Sequence, residues 1–429
     1  MLTKILTIPS LLVLAAHSLR LGSVGGAVFW LAVLILALTP LSWKHWALVG
    51  LLGFGASQYT DVAVSLIVQR LELGLPWLRL SMILGGVILL HLAAAFVHWR
   101  KALVDSTSTD VYQALTFLLT TSGLTLVRQQ TAIDSILADR FLSGSGWLVI
   151  FFLGCYSAWI TAKLLDPTNQ ARWRRILWTV FSITFFIQLF IGLLGVERFL
   201  MSGALHLPIP ALIAAGPIYR GDGFFMIILF AFTILLVGPA WCSYLCYFGV
   251  WDSWAAGRRR YPERLPPWSK KVRWSICLLV LGTALLLGCN GAPVSLAIIA
   301  AAAFGLGGGA VMLLWSRRHG VMTHCIVYCP MGLIADIAGK INPWRIRLGS
   351  DCTHCGKCSR HCRYGALASQ DIAKGRAGIS CTLCGDCISG CPHGQLHYHF
   401  PGLSQGKARE IFIVAVVVLH GIFLGVARL

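Results

Sequence analysis

The sequence predicts an all-α polytopic membrane protein with a small cysteine-rich domain near its C-terminus. Of its 429 residues, 57% are hydrophobic and only 12% are charged. The mean hydropathy of +0.75 is typical of chains that lie in a lipid bilayer. Eight cysteines repeat one spacing within residues 352–391. These observations predict about 10 to 11 transmembrane helices, at roughly 20 residues each, attached to a short polar domain.

The membrane part is predicted from ten apolar stretches, whose lengths we compared with the number of residues needed to span a bilayer. The stretches are Leu21–Leu41, Trp46–Val68, Trp77–His98, Val111–Val127, Trp147–Leu165, Ile176–Val196, Gly223–Ala240, Val272–Cys289, Pro293–Trp315 and Ile411–Val426. A shorter apolar stretch, Ile5–Ala16, follows Lys4. We interpret it as an uncleaved first helix or a surface segment, because no cleavage site of small residues follows it.

The net charge of +19 indicates topology here and not nucleic-acid binding. The basic residues lie in short segments that border the apolar stretches, as in Arg172–Arg175 and Arg258–Arg273. Cytoplasmic loops carry such an excess of Lys and Arg. We therefore expect a multi-pass membrane protein, with the cysteine-rich domain in the cytoplasm and the link Glu197–Asp222 on the other side.

The cysteine-rich domain contains the spacing C-x2-C-x2-C-x3-C twice, and the second copy is followed by Pro392. This is the ligand spacing of a bacterial ferredoxin with two [4Fe-4S] clusters, in which the fourth cysteine of each run binds the other cluster. The first cluster is then held by Cys352, Cys355, Cys358 and Cys391, and the second by Cys381, Cys384, Cys387 and Cys362. Zinc also binds C-x2-C pairs, but it has no use for the C-x3-C arm. In the first run, Arg363 stands where the motif usually has proline.

Two further cysteine pairs precede this domain and belong to an internal repeat. Cys242, Cys246 and Gly249 recur 83 positions later as Cys325, Cys329 and Gly332. Both pairs follow a span with the same direction, so the repeat is parallel and would bring four thiols together. We call the two C-x3-C segments the elbows. A third iron–sulfur centre, held by Cys242, Cys246, Cys325 and Cys329, is the interpretation we favour. Packing or redox-active thiols are the alternative, and zinc is the weakest.

Residues 1–170 are predicted to form a separate helical membrane domain without a recognisable motif. Asp61 lies near the middle of a span, where an ionisable side chain is costly. We interpret it as a quinol proton acceptor or as an interhelical hydrogen-bonding residue. His206, in the 197–222 link, is a second candidate for a quinone site. His45 and His98 could hold a b-type haem, but we favour hydrogen-bonding histidines, because no paired-histidine pattern repeats across two helices.

The predicted domain order follows from these features. Residues 1–170 form the N-terminal membrane domain, and residues 171–341 form a second membrane domain that contains both elbows. Residues 342–405 form the ferredoxin-like domain with two clusters, and residues 406–429 form a C-terminal transmembrane helix.

Membrane spans, two elbows with a glycine three residues beyond each, and a two-cluster ferredoxin segment together resemble the membrane polyferredoxins of the NosR/NapH type. The likeness runs from about Arg174 to the C-terminus, where segments such as Gly238–Cys246 fit the same pattern. Two features depart from that type. No flavin-binding domain precedes the first spans, and Tyr247 stands where a proline would follow the first elbow.

The resemblance implies a quinol dehydrogenase-like component of an oxidoreductase system in the bacterial inner membrane. Electrons would pass between the quinone pool, or a cytoplasmic donor, and a periplasmic partner such as a flavoprotein or cytochrome. An alternative of another class is an assembly factor that reduces metal or thiols during maturation of a respiratory enzyme. A redox titration separates the two, since only the electron carrier requires iron–sulfur signals that re-oxidise with added quinone.

Overall fold

The computed structural model describes residues 2–131, 134–200 and 207–426. The predicted all-α class is confirmed: helices make up most of the described chain, and the described strands form a single two-stranded sheet. The chain divides into two compact units. The first comprises Met1–Ala162 with Gly421–Val426, and the second comprises Lys163–His420.

The α-helices and strands follow one another in this order: α1 Leu2–Arg20, α2 Val24–Leu38, α3 Lys44–Glu72, α4 Leu78–Asp105, α5 Ser108–Gln130, α6 Gly146–Leu165, α7 Gln170–Leu193, α8 Leu212–Arg220, α9 Phe225–Val237, α10 Gly249–Gly257, α11 Ser269–Cys289, α12 Val294–Val311, α13 Arg317–His319, α14 Pro330–Ala338, β1 Arg345–Leu348, α15 Lys357–His361, α16 Ser369–Ala373, α17 Asp386–Ser389, β2 Leu396–His399 and α18 Gln405–Val426. Short 3-10 turns cover Leu137–Arg140, Glu197–Phe199 and Gly238–Ala240, and π-helical turns cover Trp241–Leu245, Met312–Ser316 and His324–Tyr328.

Eight helical segments of the described chain are long and apolar enough to cross a membrane, judged by length and composition. They are Lys44–Glu72, Leu78–Asp105, Gly146–Leu165, Gln170–Leu193, Phe225–Leu245, Ser269–Cys289, Val294–His319 and Gln405–Val426. Two more of the expected stretches form helices of a different character. At 15 residues, α2 rises only about 22 Å, short of a hydrocarbon core of roughly 30 Å. The 23-residue α5 is long enough but carries five threonines, two serines and Arg128 among its apolar side chains.

The first unit has a dry core made by apolar faces of its helices. Leu11 of α1, Leu48 of α3, Phe117 of α5 and Ile150 of α6 are fully buried in it. Local signals set the helix starts. The Ser23 hydroxyl accepts a hydrogen bond from the Gly26 N–H ahead of α2, and Thr107 and Asp110 form a capping box at the start of α5.

The second unit contains both elbows and the cysteine-rich segment. Helix α9 ends at Val237 because Gly238 adopts a φ of 62° and Pro239 follows it. Strands β1 and β2 pair antiparallel, with Arg345 opposite His399 and Leu348 opposite Leu396. The two strands flank the cysteine runs in sequence, so their pairing closes the segment that carries all eight cysteines.

Candidate iron–sulfur centres

The two cysteine runs adopt the same backbone turn. The residue two positions after the first cysteine has a positive φ in each run, 52° at His354 and 55° at Leu383. The glycine after the second cysteine does too, with 69° at Gly356 and 80° at Gly385. Positive φ is uncommon outside glycine. Such alternation turns successive N–H groups inward and makes the backbone concavities found at many iron–sulfur sites.

The first cysteine set surrounds a space that is partly open to solvent. Cys352, Cys355 and Cys358 line this space together with Cys391 from the other run. The Lys357 N–H and the Thr353 hydroxyl lower the pKa of the exposed Cys355 thiol by hydrogen bonding. Burial raises the pKa of Cys358, and the neighbouring Cys391 and Cys352 thiols raise it further.

The second cysteine set is buried more deeply. Burial is the main reason that the pKa of Cys387 is raised, and Cys384, Cys362 and Cys381 add to the effect. Cys362, from the first run, therefore lies beside the second run. Burial, followed by the charge of Asp386, raises the pKa of Cys384 to about 12. The Ala366 N–H donates a hydrogen bond of 3.2 Å to the Cys362 sulfur.

The structure thus brings the fourth cysteine of each run to the other run, while the assignment of ligands stays a prediction. Within the described ranges, no three His, Cys, Asp or Glu side chains are placed to hold a single metal ion. The cysteines of the first set lie around a space. The fit of an iron–sulfur cluster is supported by the eight soft thiols, the matching inward-facing turns and the N–H donor to sulfur.

The elbows repeat in structure as they do in sequence. Each contains a five-residue π-helical turn, Trp241–Leu245 and His324–Tyr328, and the second cysteine of the pair directly follows each turn. Cys246 and Cys329 share a φ of −77°, with ψ of 112° and 118°. A nine-residue helix follows each elbow, α10 and α14.

The glycine of each elbow permits a close backbone approach. A β-carbon on Gly332 would collide with the Cys325 carbonyl oxygen. A β-carbon on Gly249 would lie 3.0 Å from the Cys242 carbonyl oxygen and 2.6 Å from the Trp178 ring. Because the same contact recurs in both copies, the repeat extends to the packing of each helix against its turn.

The four elbow cysteines lie near one another, with two buried carboxylates at their border. Burial raises the pKa of Cys325 most, and the charges of Asp252, Cys246, Cys329 and Cys242 raise it further. The Cys325 N–H donates a 3.0 Å hydrogen bond to Asp252, so the helix of one elbow binds the turn of the other.

The second carboxylate, Asp336, forms a 2.7 Å ion pair with Arg273, and both side chains are largely buried. Burial raises the pKa of Asp252 and that of Asp336 to about 6 each. The elbows therefore combine four thiols with two carboxylates in a region sheltered from water.

The first elbow is bonded directly to the second cysteine run. The Ser243 hydroxyl donates to the Thr382 carbonyl at 2.9 Å, and the Tyr244 hydroxyl donates to the Cys384 carbonyl at 3.1 Å. One apolar cluster that includes Trp178 and Tyr364 also packs against cysteines of both sets, namely Cys325, Cys362 and Cys384. The elbow set and the second set are thus neighbours.

Arg174 strengthens this junction and was missed as a site residue by sequence reasoning. Its guanidinium donates to both carboxylate oxygens of Asp386, at 2.9 and 2.7 Å, and to the Ser243 carbonyl at 3.0 Å. In the sequence it belongs to the basic cluster Arg172–Arg175, which predicts topology only. Asp386 was the sequence feature that could have pointed to this pair, because it is an acidic residue between two cysteines in a chain with few acidic residues.

Arg363 and Tyr247, which each stand where the cysteine motifs usually have proline, make structural contacts. Arg363, in place of proline, donates hydrogen bonds of 2.8 Å to the carbonyls of Ala256 and Gly320. Tyr247 stacks on Phe185 with ring centroids 3.8 Å apart. Both residues therefore attach the cysteine segments to the helices around them.

The candidate residues of the first unit have varied settings. Asp61 is exposed, and no ion pair of the described residues includes it. The Nδ1 atoms of His45 and His98 lie 2.8 Å apart, and the Thr7 hydroxyl lies 2.8 Å from Nε2 of His98. Both ring nitrogens of His98 are thus engaged within the protein, as hydrogen-bonding histidines would be. His206 lies outside the described residues.

One known protein family matches part of this arrangement. The family described as 4Fe-4S binding domain matches residues 223–263, a segment that contains the first elbow. The comparisons with curated proteins and with solved structures find no match. With its apolar helices, the chain has the features of a multi-pass membrane iron–sulfur protein. The matched segment includes Cys242 and Cys246 and precedes both ferredoxin-like runs.

Proposed function

We propose that this protein is an electron-transfer subunit that carries electrons between a donor on one side of a bacterial inner membrane and an acceptor reached through the membrane. Two [4Fe-4S] clusters would be held by the crossed cysteine sets, and a third centre by Cys242, Cys246, Cys325 and Cys329. When bound, such clusters supply reversible one-electron exchange. The family resemblance supports a quinone pool or cytoplasmic donor and a periplasmic redox partner.

The contact between the first elbow and the second cysteine run carries this proposal. Electron carriers must lie close together, and Tyr244 and Ser243 of the elbow bond the backbone on either side of Leu383. The first run shares its crossed cysteines with the second. The three sets therefore follow one another from a partly exposed edge at Cys355 to the end of the apolar segment Phe225–Leu245.

The chain's own residues have defined tasks in this scheme. Apolar side chains such as Trp178 and Met322 exclude water from the second set and the elbows. Backbone N–H groups, such as that of Ala366, stabilise negative charge on sulfur. The buried guanidinium of Arg174 places a positive charge beside Asp386 and the second set. Together these groups set how readily the site accepts an electron.

The double variant Cys242→Ser with Cys325→Ser tests the elbow centre. We expect iron content to fall by about four atoms per chain, one cluster's worth, while both ferredoxin-type EPR signals persist. The matched control is Cys277→Ser with Cys289→Ser, because these cysteines belong to none of the three sets. Unchanged iron in the elbow variant would refute the third centre. An absence of iron–sulfur signals in the wild-type protein would refute the proposed function as a whole.

A further inference from the structure

The first unit contains a cavity that the proposed electron path does not use. It lies between α1, α3 and α4 and has a volume of about 420 Å³, within the range of small-molecule pockets. Its walls are apolar side chains from all three helices, with Val13 on α1, Val62 and Leu66 on α3, and Leu80 and Leu84 on α4. Such walls suit a hydrocarbon chain.

The cavity carries positive charge at Arg20 and Arg70, which lie in the last turns of α1 and α3. His17 and Tyr59 line it as well, and none of the described residues that line it is acidic. The ring of His17 lies 5.0 Å from that of Tyr59. Burial lowers the pKa of His17, and the charge of Arg20 lowers it further.

The two arginines keep donors available. Within the described part of the chain, no ion pair involves Arg20 or Arg70. Arg70 donates one hydrogen bond, of 2.7 Å, to the Pro76 carbonyl, whereas a guanidinium has five N–H donors. The Tyr59 hydroxyl donates to the Val13 carbonyl at 3.1 Å, so its oxygen can still accept a hydrogen bond. Two like charges in an apolar cavity favour an anion between them.

We propose that this cavity binds an amphiphilic acid, with its carboxylate or phosphate between Arg20 and Arg70 and its hydrocarbon chain along α3 and α4. Guanidinium groups match the planar oxygen pairs of carboxylates and phosphates. The apolar wall buries the chain. A neutral amphiphile of the same length would leave both arginines unpaired and is expected to bind more weakly.

Native mass spectrometry of the full-length protein in dodecyl maltoside tests the proposal. The probes are oleate, dioleoyl phosphatidate and neutral dioleoyl phosphatidylcholine. We expect one tightly bound copy of an acidic probe and weaker binding of the neutral one. Binding of oleate alone would identify a single-chain carboxylate, and binding of phosphatidate would identify a lipid phosphate. Equal binding of the neutral lipid would overturn the proposal.

Three variants locate the site. Arg20→Gln with Arg70→Gln should weaken the acidic probe at least tenfold, since charge-assisted hydrogen bonds are lost. Leu84→Trp should also weaken it, by filling the cavity while leaving both charges in place. Arg79→Gln is the control, because Arg79 is exposed on α4 and does not line the cavity. Wild-type affinity in the double arginine variant, or in the Leu84 variant, would contradict the proposed site.

Discussion

Arg174 illustrates how one residue can support both the fold and the chemistry. Its side chain is 2% exposed, and it bridges the first elbow and the second cysteine run through Ser243 and Asp386. A buried charge of this kind is costly unless it is fully paired, and here both partners are in place. Arg363 has a related role: at a position where the motif usually has proline, its side chain donates three hydrogen bonds, to the carbonyls of Ala256, Arg259 and Gly320.

Arg174→Gln should therefore destabilise the protein by about 3 kcal/mol, because Asp386 loses its partner in a largely buried position. The value lies at the low end for a broken buried pair, since the Asp386 side chain keeps 20% exposure. Removing the positive charge should also lower the midpoint potential of the nearby centre. Thermal unfolding and a redox titration followed by EPR measure the two effects. Arg172→Gln, at an exposed position of the same helix, is the control, and an equal effect in both variants would contradict this role.

Among the structural elements, the two elbows show the clearest internal repeat. A π-helical turn and a cysteine with extended backbone recur with a spacing of 83 residues, and a nine-residue helix follows each copy. Each copy needs its glycine, because the helix approaches the carbonyl of its own first cysteine. The cross-contact from Asp252 to the Cys325 N–H then holds the two copies against each other.

Gly332→Ala should destabilise the second elbow by about 1–3 kcal/mol, since the added methyl group meets a backbone oxygen. Gly309→Ala is a matched control: it also lies in a helix, but its β-carbon meets nothing within 4 Å. The control is expected to be neutral or slightly stabilising, by up to about 1 kcal/mol. Chemical unfolding of the two variants would decide the matter, and similar stability in both would argue against the close approach.

The crossed cysteine runs make a second prediction at this level. Cys358→Ala and Cys391→Ala lie in different runs but line the same space, so each should abolish the same EPR signal and leave the other cluster intact. Cys387→Ala, which belongs to the second set, should abolish the other signal. Loss of different clusters in the Cys358 and Cys391 variants would show that each run binds its own cluster.

For the whole molecule, the distribution of basic residues predicts orientation. Reporter fusions after Ala256 and within residues 211–221 should give opposite signals, because Arg258–Arg260 follow the first position and the second lies in the link across the intervening span. A third fusion, within the cysteine-rich segment, should match the first. Identical signals at the first two positions would overturn the assigned topology.

The sequence alone determined the helical membrane class and the repeated cysteine spacing. Both features depend only on residues that are close together in the chain. A transmembrane span needs enough contiguous apolar residues to match the bilayer, and the first three cysteines of each run lie three positions apart. The 83-residue repeat was visible for the same reason. The lengths of α2 and α5 were not visible, because the expected stretch Leu21–Leu41 forms only the 15-residue α2 and the expected Val111–Val127 lies in the longer α5. Length separates α2 from the eight segments that meet the criteria for spanning, and polar composition separates α5.

Only the tertiary structure decided which distant side chains meet. Arg174 and Asp386 are 212 positions apart, and Ser243 and Thr382 are 139 apart. His45 and His98 contact each other directly, while Asp61 faces outward. The positively charged cavity needs three helices to form its walls. Hydrophobic patterning limits which face of a helix is buried, but the partner of each side chain depends on how the helices pack, and no local spacing encodes that.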